Sequence, residues 1–328
     1  MKDSFGREIK YMRISLTDKC SYRCKYCMPE EGIPDIGHEK ILRFEDIERI
    51  AQAAVELGIS KFRLTGGEPL VRRGIVDFVK KMKSIEGLRE LTMTTNGSLL
   101  SSFAEDLATA GLDRVNISLD TLRYSRFKEI TRGGEIDDVV AGINAAVNAG
   151  LTPVKINVVM MKGFNDDEIL DFLQLTFQHD YEIRFIEMMP FKGNDECEYL
   201  FMSNDEIKAK LPALRPVPFH GEVNGVAELY KYPAAKGRIG FISAISDEFC
   251  SDCNKVRVTA DGKLKTCLHS NNEYDLKKAL SVYESQGEEA GKQAMLKVLT
   301  DAITAKEKKH TLRIGEPAID RNMNRIGG

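Results

Sequence analysis

Between residues 10 and 210 the chain alternates strand-like and helix-like segments, and each strand has two unlike faces. Apolar and β-branched runs predict strands over residues 11–16, 61–65, 91–96, 114–120, 153–160 and 182–189. Amphipathic segments over 44–57, 73–85, 100–110, 137–149 and 166–178 lie between them. Six βα units in series imply a parallel sheet with right-handed crossovers. A central strand of a doubly wound sheet is covered on both faces and reads as apolar throughout. These strands do not. Arg13 and Ser15 alternate with Met12 and Ile14, Lys61 and Arg63 with Phe62 and Leu64, and Thr92 and Thr94 with Leu91 and Met93. Asn116 and Ser118 alternate with Val115 and Ile117, Lys155 and Asn157 with Ile156 and Val158, and Arg184 lies between Ile183 and Phe185. A two-residue period puts each set on one side.

The apolar faces would pack under the helices and the polar faces would line an interior. A closed eight-stranded barrel fills its interior with branched apolar side chains. The expectation is therefore an α/β fold built as an incomplete, TIM-type (βα)6 barrel with a polar lumen. Arg13, Lys61, Arg63, Lys155 and Arg184 would line it with few acids, which suits an anion. A single such cation is ordinarily a snorkelling surface charge; five in the same phase favour a shared site.

After residue 215 the rhythm changes. Residues 226–232 and 239–245 read as antiparallel strands, and 256–259 and 263–267 flank Asp261-Gly262, a hairpin turn signal. Charged helices are predicted near 275–280 and 288–308. Two parts are expected, 1–215 for the barrel and 216–328 for an antiparallel and helical C-terminal part. The formal net charge of -3 gives no global pull toward nucleic acid or a membrane surface. The polar N-terminus is not a secretory signal, and no apolar run is long enough to span a membrane. Seven cysteines in such a chain imply a cytoplasmic, reducing setting in which thiols serve as metal ligands.

Six of them form two groups of three. Cys20, Cys24 and Cys27 have the spacing Cys-x3-Cys-x2-Cys. Three thiolates hold three corners of a [4Fe–4S] cube and leave one iron open, whereas electron-transfer clusters and structural zinc sites take four ligands. Cys250, Cys253 and Cys267 form the second group, closed by the hairpin, with Lys255 and Arg257 beside it. This group also suits a second iron–sulfur cluster; a zinc reading requires His269 as fourth ligand. Cys197, between acidic neighbours, reads as a solvated loop thiol. Thr65-Gly66-Gly67-Glu68-Pro69 closes the second strand; its glycines allow close backbone approach, and its carboxylate and carbonyls can accept from an ammonium group.

The first triad followed by Gly-Gly-Glu-Pro resembles the radical S-adenosylmethionine superfamily. The resemblance implies an open iron that chelates S-adenosylmethionine, and a 5'-deoxyadenosyl radical that abstracts hydrogen after reductive cleavage. Tyr26, Gly67, Glu68, Ser118 and Met189 match cofactor-contacting positions. With Thr94-Thr95-Asn96-Gly97, the run from Arg184 to Pro190 and the second triad, the whole chain resembles the GTP 3',8-cyclase family of molybdenum cofactor biosynthesis. That likeness implies two [4Fe–4S] clusters and cyclisation of GTP to (8S)-3',8-cyclo-7,8-dihydroguanosine 5'-triphosphate, with guanine at the second cluster. Cyclic pyranopterin monophosphate synthase would act next. The implied GTP contacts are Arg13, Lys61, Arg63, Thr94, Lys155, Arg184, Lys255 and Arg257. Lys255 departs from the family's usual arginine and loses the planar fork. The tail ending in Gly327-Gly328 resembles a terminus that reaches the active site, with Arg321 and Arg325 as further charges. A homodimer is the general expectation for an oligomeric enzyme, and the sequence carries no signal for the electron donor. A radical enzyme acting on peptides with an auxiliary cluster is the enzymatic alternative; a non-enzymatic iron–sulfur or zinc protein is the alternative of another class.

Overall fold

The computed structural model describes residues 1–34, 36–190, 197–217, 227–247, 249–310 and 321–327. The expected strands form as β1 (Tyr11–Ser15), β2 (Lys61–Thr65), β3 (Glu90–Thr95), β4 (Arg114–Ser118), β5 (Lys155–Met160) and β6 (Glu182–Glu187). Between them lie α1 (Phe44–Glu56), α2 (Ile75–Lys83), α3 (Ala104–Thr109), α4 (Tyr124–Thr131), α5 (Ile136–Asn148) and α6 (Ile169–Gln178). One face of every strand is fully buried and apolar: Met12 and Ile14, Phe62 and Leu64, Leu91 and Met93, Val115 and Ile117, Ile156 and Val158, Ile183 and Phe185. Apolar stripes of the helices, such as Ile47, Ile50 and Ala54 of α1, join the same core. The polar face is left to line the interior, and the fold is the partial α/β barrel that the alternation predicts.

The C-terminal region corrects the expected topology. After α7 (Cys197–Leu200) and α8 (Asn204–Ala209) come β7 (Arg215–Pro216), β8 (Glu228–Lys231) and β9 (Arg238–Ile242). The expected antiparallel pairing forms between β9 and β8, but β9 also pairs parallel with β6 on its other side. Next come β10 (Lys255–Val258), β11 (Lys263–Lys265) and β12 (Tyr274–Asp275). β10 turns back through the expected hairpin onto β11, and it also pairs parallel with β1. One sheet results, in the order β12-β11-β10-β1-β2-β3-β4-β5-β6-β9-β8-β7. The physical reason is that six parallel strands leave two open edges, each a row of unpaired main-chain groups. The late strands cover both, so the parallel run extends from β10 to β9.

α9 (Leu276–Gln286) and α10 (Glu288–Thr304) lie against α1, where Arg49 stacks over Tyr283 and Lys292 pairs with Glu56 at 2.7 Å. The last described element is α11 (Met323–Ile326). No helix among the described residues is long and apolar enough to cross a membrane.

Phe185 of β6 packs between Phe172 of α6 and Phe241 of β9, with ring centroids 6.2 Å and 6.0 Å away. Phe185→Ala is therefore expected to lower the unfolding free energy by about 3–5 kcal/mol, measured by urea denaturation. A loss below about 1 kcal/mol would contradict this placement.

Candidate active site

Strand register gathers the candidate anion-binding residues on one face. Arg257, Arg13 and Arg63 are direct neighbours across β10, β1 and β2, and the row continues to Thr92 and Arg114. Thr94, Asn116, Lys155 and Glu182 form a second row, and Ser118, Asn157, Arg184 and Gly240 a third. Lys255 and Lys61 flank Tyr11. Burial pushes Arg13 down to about 9, Arg63 to about 10, Lys255 to about 8 and Lys155 to about 7, and the neighbouring cations add to each shift.

Two acids, overlooked in the strand pattern, temper this charge. Glu182 accepts from Lys155 Nζ at 2.9 and 3.0 Å and from Arg184 Nε at 2.6 Å, and the two cations hold its carboxyl down to about 2 despite burial. Glu90 pairs with Arg114 and lies 3.8 Å from Lys61. The signal for Glu182 was its shared parity with Arg184. Around these charges, Thr94 Oγ1, both amide atoms of Asn116, Asn157 Oδ1 and Ser15 Oγ are buried without a hydrogen-bond partner among the described residues. Buried polar groups normally find one, so this lining fits a polar ligand.

The first triad lies in the loop after β1, which is laced to the Gly-Gly turn. Leu16 donates to the Thr65 carbonyl at 2.8 Å, Gly67 to Thr17 at 2.7 Å and Glu68 to Lys19 at 2.8 Å. A Cβ at Gly67 would stand 2.2 Å from the Lys19 carbonyl oxygen, and one at Gly66, where φ is +143, would stand 2.5 Å from that of Thr17. The glycines are thus required by the cysteine loop itself. The Glu68 carboxylate is turned inward: it accepts from Leu70 N at 3.0 Å, Thr95 Oγ1 at 2.8 Å and Asn96 N at 2.7 Å. With three donors, this fully buried carboxylate braces the turn against the start of the next loop.

Asn96, held by Glu68, donates its amide toward Cys20 Sγ at 3.7 Å, and Tyr22 N does so at 3.4 Å. Burial and mutual repulsion raise Cys24 well above the usual thiol range and Cys27 to about 12. As it stands, no group of three or more His, Cys, Asp or Glu among the described residues is gathered closely enough to hold a metal ion. The donor chemistry nevertheless fits a cluster: all six cysteines are free thiols, and a bound cation reverses the penalty on thiolates. Tyr26 donates to Asp120 Oδ2 at 2.7 Å, and Val159 N donates to Oδ1 at 2.9 Å, fixing the ring beside the triad. Met189 packs against Ile326. Cys197 is not a solvated thiol but is buried beside Met161 and Met188, because α7 turns it inward.

The second triad lies in a cationic setting. Burial raises Cys253, yet Lys306, Lys255 and Arg257 bring its thiol below the usual value. Arg7, paired with Asp3 at 2.5 Å, donates to the Cys250 carbonyl at 2.8 Å and to the Glu307 carbonyl at 2.6 Å. Lys306 Nζ donates to the carbonyls of Lys255 and Thr266. Neither residue was singled out in the sequence, since one lies in a polar N-terminus and the other in a charged helix end. It is the main-chain N–H of His269, at 3.4 Å, that reaches Cys267 Sγ. The tail reaches the polar face of the strands: Asn324 Nδ2 donates to the Asp18 carbonyl at 2.8 Å, and Arg257 donates to the Gly327 carbonyl at 2.7 Å. Arg321 is engaged by Asp261 and Glu273, and Arg325 by the Pro34 carbonyl. Gly328 lies outside the described residues.

Residues 14–176 match the family model of the radical SAM superfamily, and residues 181–312 that of molybdenum cofactor synthesis C. The chain is 48% identical to a GTP 3',8-cyclase of Alkaliphilus metalliredigens, covering all of both chains. It is 52% identical to a GTP 3',8-cyclase of Thermodesulfovibrio yellowstonii over 85% of this chain and 88% of that one. Among solved structures, SuiB of Streptococcus suis bound to S-adenosylmethionine matches with a TM-score of 0.60 at 15% identity, over 84% of this chain and 65% of that chain. Coproporphyrinogen III oxidase of Escherichia coli, a radical SAM enzyme, matches with a TM-score of 0.52 at 11% identity, over 87% and 72% of the two chains. At these identities the structural matches show the fold alone.

Glu68→Ala would leave three buried donors without an acceptor, each at about 1–3 kcal/mol, and would release Asn96 from the cysteine loop. Lower stability in urea and a lower iron-to-protein ratio at the first triad are expected. Wild-type iron retention would show that Glu68 does not support that loop.

Proposed function

The chain belongs to the GTP 3',8-cyclase family within the radical S-adenosylmethionine superfamily, and on that premise we propose that GTP lies in the lumen between two iron–sulfur clusters. It is a radical S-adenosylmethionine enzyme of molybdenum cofactor biosynthesis, and the activity is cyclisation of GTP to (8S)-3',8-cyclo-7,8-dihydroguanosine 5'-triphosphate. Bound clusters and S-adenosylmethionine supply the electron and the organic radical that takes the 3'-hydrogen of GTP.

One observation carries the placement of the substrate. β1 and β10 run parallel. The first triad follows β1 and the second precedes β10, so the two triads belong to opposite ends of one channel. Strands of four to five residues span roughly 13–17 Å, and the lumen cations lie along that length. In this reading Cys20, Cys24 and Cys27 hold one cluster and Cys250, Cys253 and Cys267 the other. Residues 1–215 carry the cofactor site, and residues 216–328 carry the second cluster and the tail.

Tyr26, oriented by Asp120, the main chain at Gly67, Ser118 and Met189 position S-adenosylmethionine. Arg13, Lys61, Arg63, Thr94, Lys155, Arg184, Lys255 and Arg257 position GTP. Glu182 stands in for phosphate until the nucleotide arrives, keeping Lys155 and Arg184 extended into the lumen. The buried lining keeps water from the reacting ribose, where a radical must be protected from side reactions. Cyclic pyranopterin monophosphate synthase would consume the product. A peptide substrate has no comparable support, because a cation-lined lumen suits a triphosphate.

The test is anaerobic turnover after cluster reconstitution and reduction, with GTP, ATP or no nucleotide. The expected result is 5'-deoxyadenosine formed in response to GTP alone, with one product of GTP mass per cleavage. Nucleotide-independent cleavage without such a product would overturn the reading. A second outcome concerns protons. Burial holds Lys155 near 7, so at pH 8 it is mostly neutral, whereas the nucleotide's terminal phosphate, with a pKa of about 6, is already ionised. A phosphate beside Lys155 favours the ammonium form, so GTP binding at pH 8 should take up close to one proton. Calorimetry in buffers of different ionisation enthalpy measures it, and in Lys155→Met the uptake should fall to the smaller share contributed by Lys255, itself held near 8. Equal uptake in that variant would place the titrating group elsewhere.

A further inference from the structure

Lys306 is almost wholly buried, at 3% exposure, just beyond the C-terminus of α10. Its ammonium donates to the Lys255 carbonyl at 3.1 Å and to the Thr266 carbonyl. These carbonyls lie in the two segments that carry Cys253 and Cys267. No carboxylate pairs with Lys306 among the described residues. The carboxylate next in sequence, Glu307, is turned to Ser270 at 2.8 Å and Asn272 at 2.7 Å. Lys265, the other buried lysine here, has Glu273 at 3.7 Å.

Removing a charge from water is expensive unless an opposite charge compensates it. Two neutral carbonyls satisfy the donors of Lys306 but not its charge. The thiols of Cys253 and Cys267 lie within its electrostatic reach. We propose that Lys306 is the built-in counter-ion of the second iron–sulfur cluster, a positioning residue that favours the reduced state of that cluster and its retention. This rests on the reading of the C-terminal triad as cluster ligands. A cluster held by three thiolates is net negative, and reduction adds one electron to it. A fixed ammonium nearby stabilises the reduced form, so loss of that charge must lower the potential.

The experiment uses the full chain with Cys20, Cys24 and Cys27 replaced by alanine, so that iron is held at the C-terminal triad alone. This parent and its Lys306→Met, Lys306→Gln and Lys306→Arg derivatives are reconstituted anaerobically and titrated potentiometrically, with the reduced cluster read by electron paramagnetic resonance. In the Met and Gln variants the reduction equilibrium is expected to fall at least tenfold, about 59 mV for one electron, with iron lost faster to a chelator. Arginine is expected to restore most of the shift. Glutamine keeps a donor for the carbonyls, so an unchanged potential in that variant would assign Lys306 to capping and overturn the proposal. The iron-free Gln variant should fold at least as stably as the parent, because it keeps a donor for the carbonyls and lacks an uncompensated buried charge; failure of that variant to fold would overturn the proposal as well. Absence of any cluster in the parent would instead remove the reading of the triad on which it rests.

Discussion

Like charges buried side by side are the constraint under which this fold is built. Arg13, Arg63 and Arg257 are adjacent across three strands, and each loses hydration while facing its neighbours. The lowered pKa values of Arg13, Arg63, Lys155 and Lys255 are the direct expression of that cost. The apolar face of the same strands offsets it, residue for residue, through an uninterrupted core beneath the helices. Local relief comes from Glu182, Glu90 and the Gly327 carbonyl. A lumen poised in this way stores an electrostatic demand that an anionic ligand meets, a common trade between stability and function.

The triads are managed in unlike ways. Around Cys20, Cys24 and Cys27 the donors to sulfur are neutral, the Asn96 amide and the Tyr22 main chain with the Glu68 strut behind them, and a single cation, Arg23, binds the Cys20 carbonyl. Around Cys250, Cys253 and Cys267 it supplies cations, from Arg7 and Lys306 at the periphery to Lys255 and Arg257 in the lumen. Two centres built from the same three-thiol donor set thus have unlike electrostatic surroundings.

The barrel and its lumen were legible because a strand's two-residue period is local information. Once Arg13, Lys155 and Arg184 fell in one phase, no long-range knowledge was needed to place them together. The two late parallel pairings were not legible. β9 and β10 carry hairpin signals on one side, and nothing local marks a partner on the other. The inward strut at Glu68 was not legible because an exposed turn and a buried strut share the same four letters; only the donors at Leu70, Thr95 and Asn96 distinguish them. Cys197 was misjudged because its thiol packs with Met161 and Met188, a contact the local sequence does not show. Arg7 and Lys306 act through main-chain carbonyls, a type of contact with no sequence pattern.

The pairing of β1 with β10 also fixes a timetable. The first strand of the channel cannot acquire its outer neighbour until some 240 residues later, when β10 emerges. At about 5–20 residues per second of synthesis, that is roughly 12–48 s. Throughout this interval one edge of β1 stands open, and Arg7 lacks the Cys250 and Glu307 carbonyls that it will later bind. An open strand edge is a template for wrong pairing. The nascent chain therefore passes through a prolonged stage in which the charged side chains of its earliest strand are what stands between an open edge and a wrong partner.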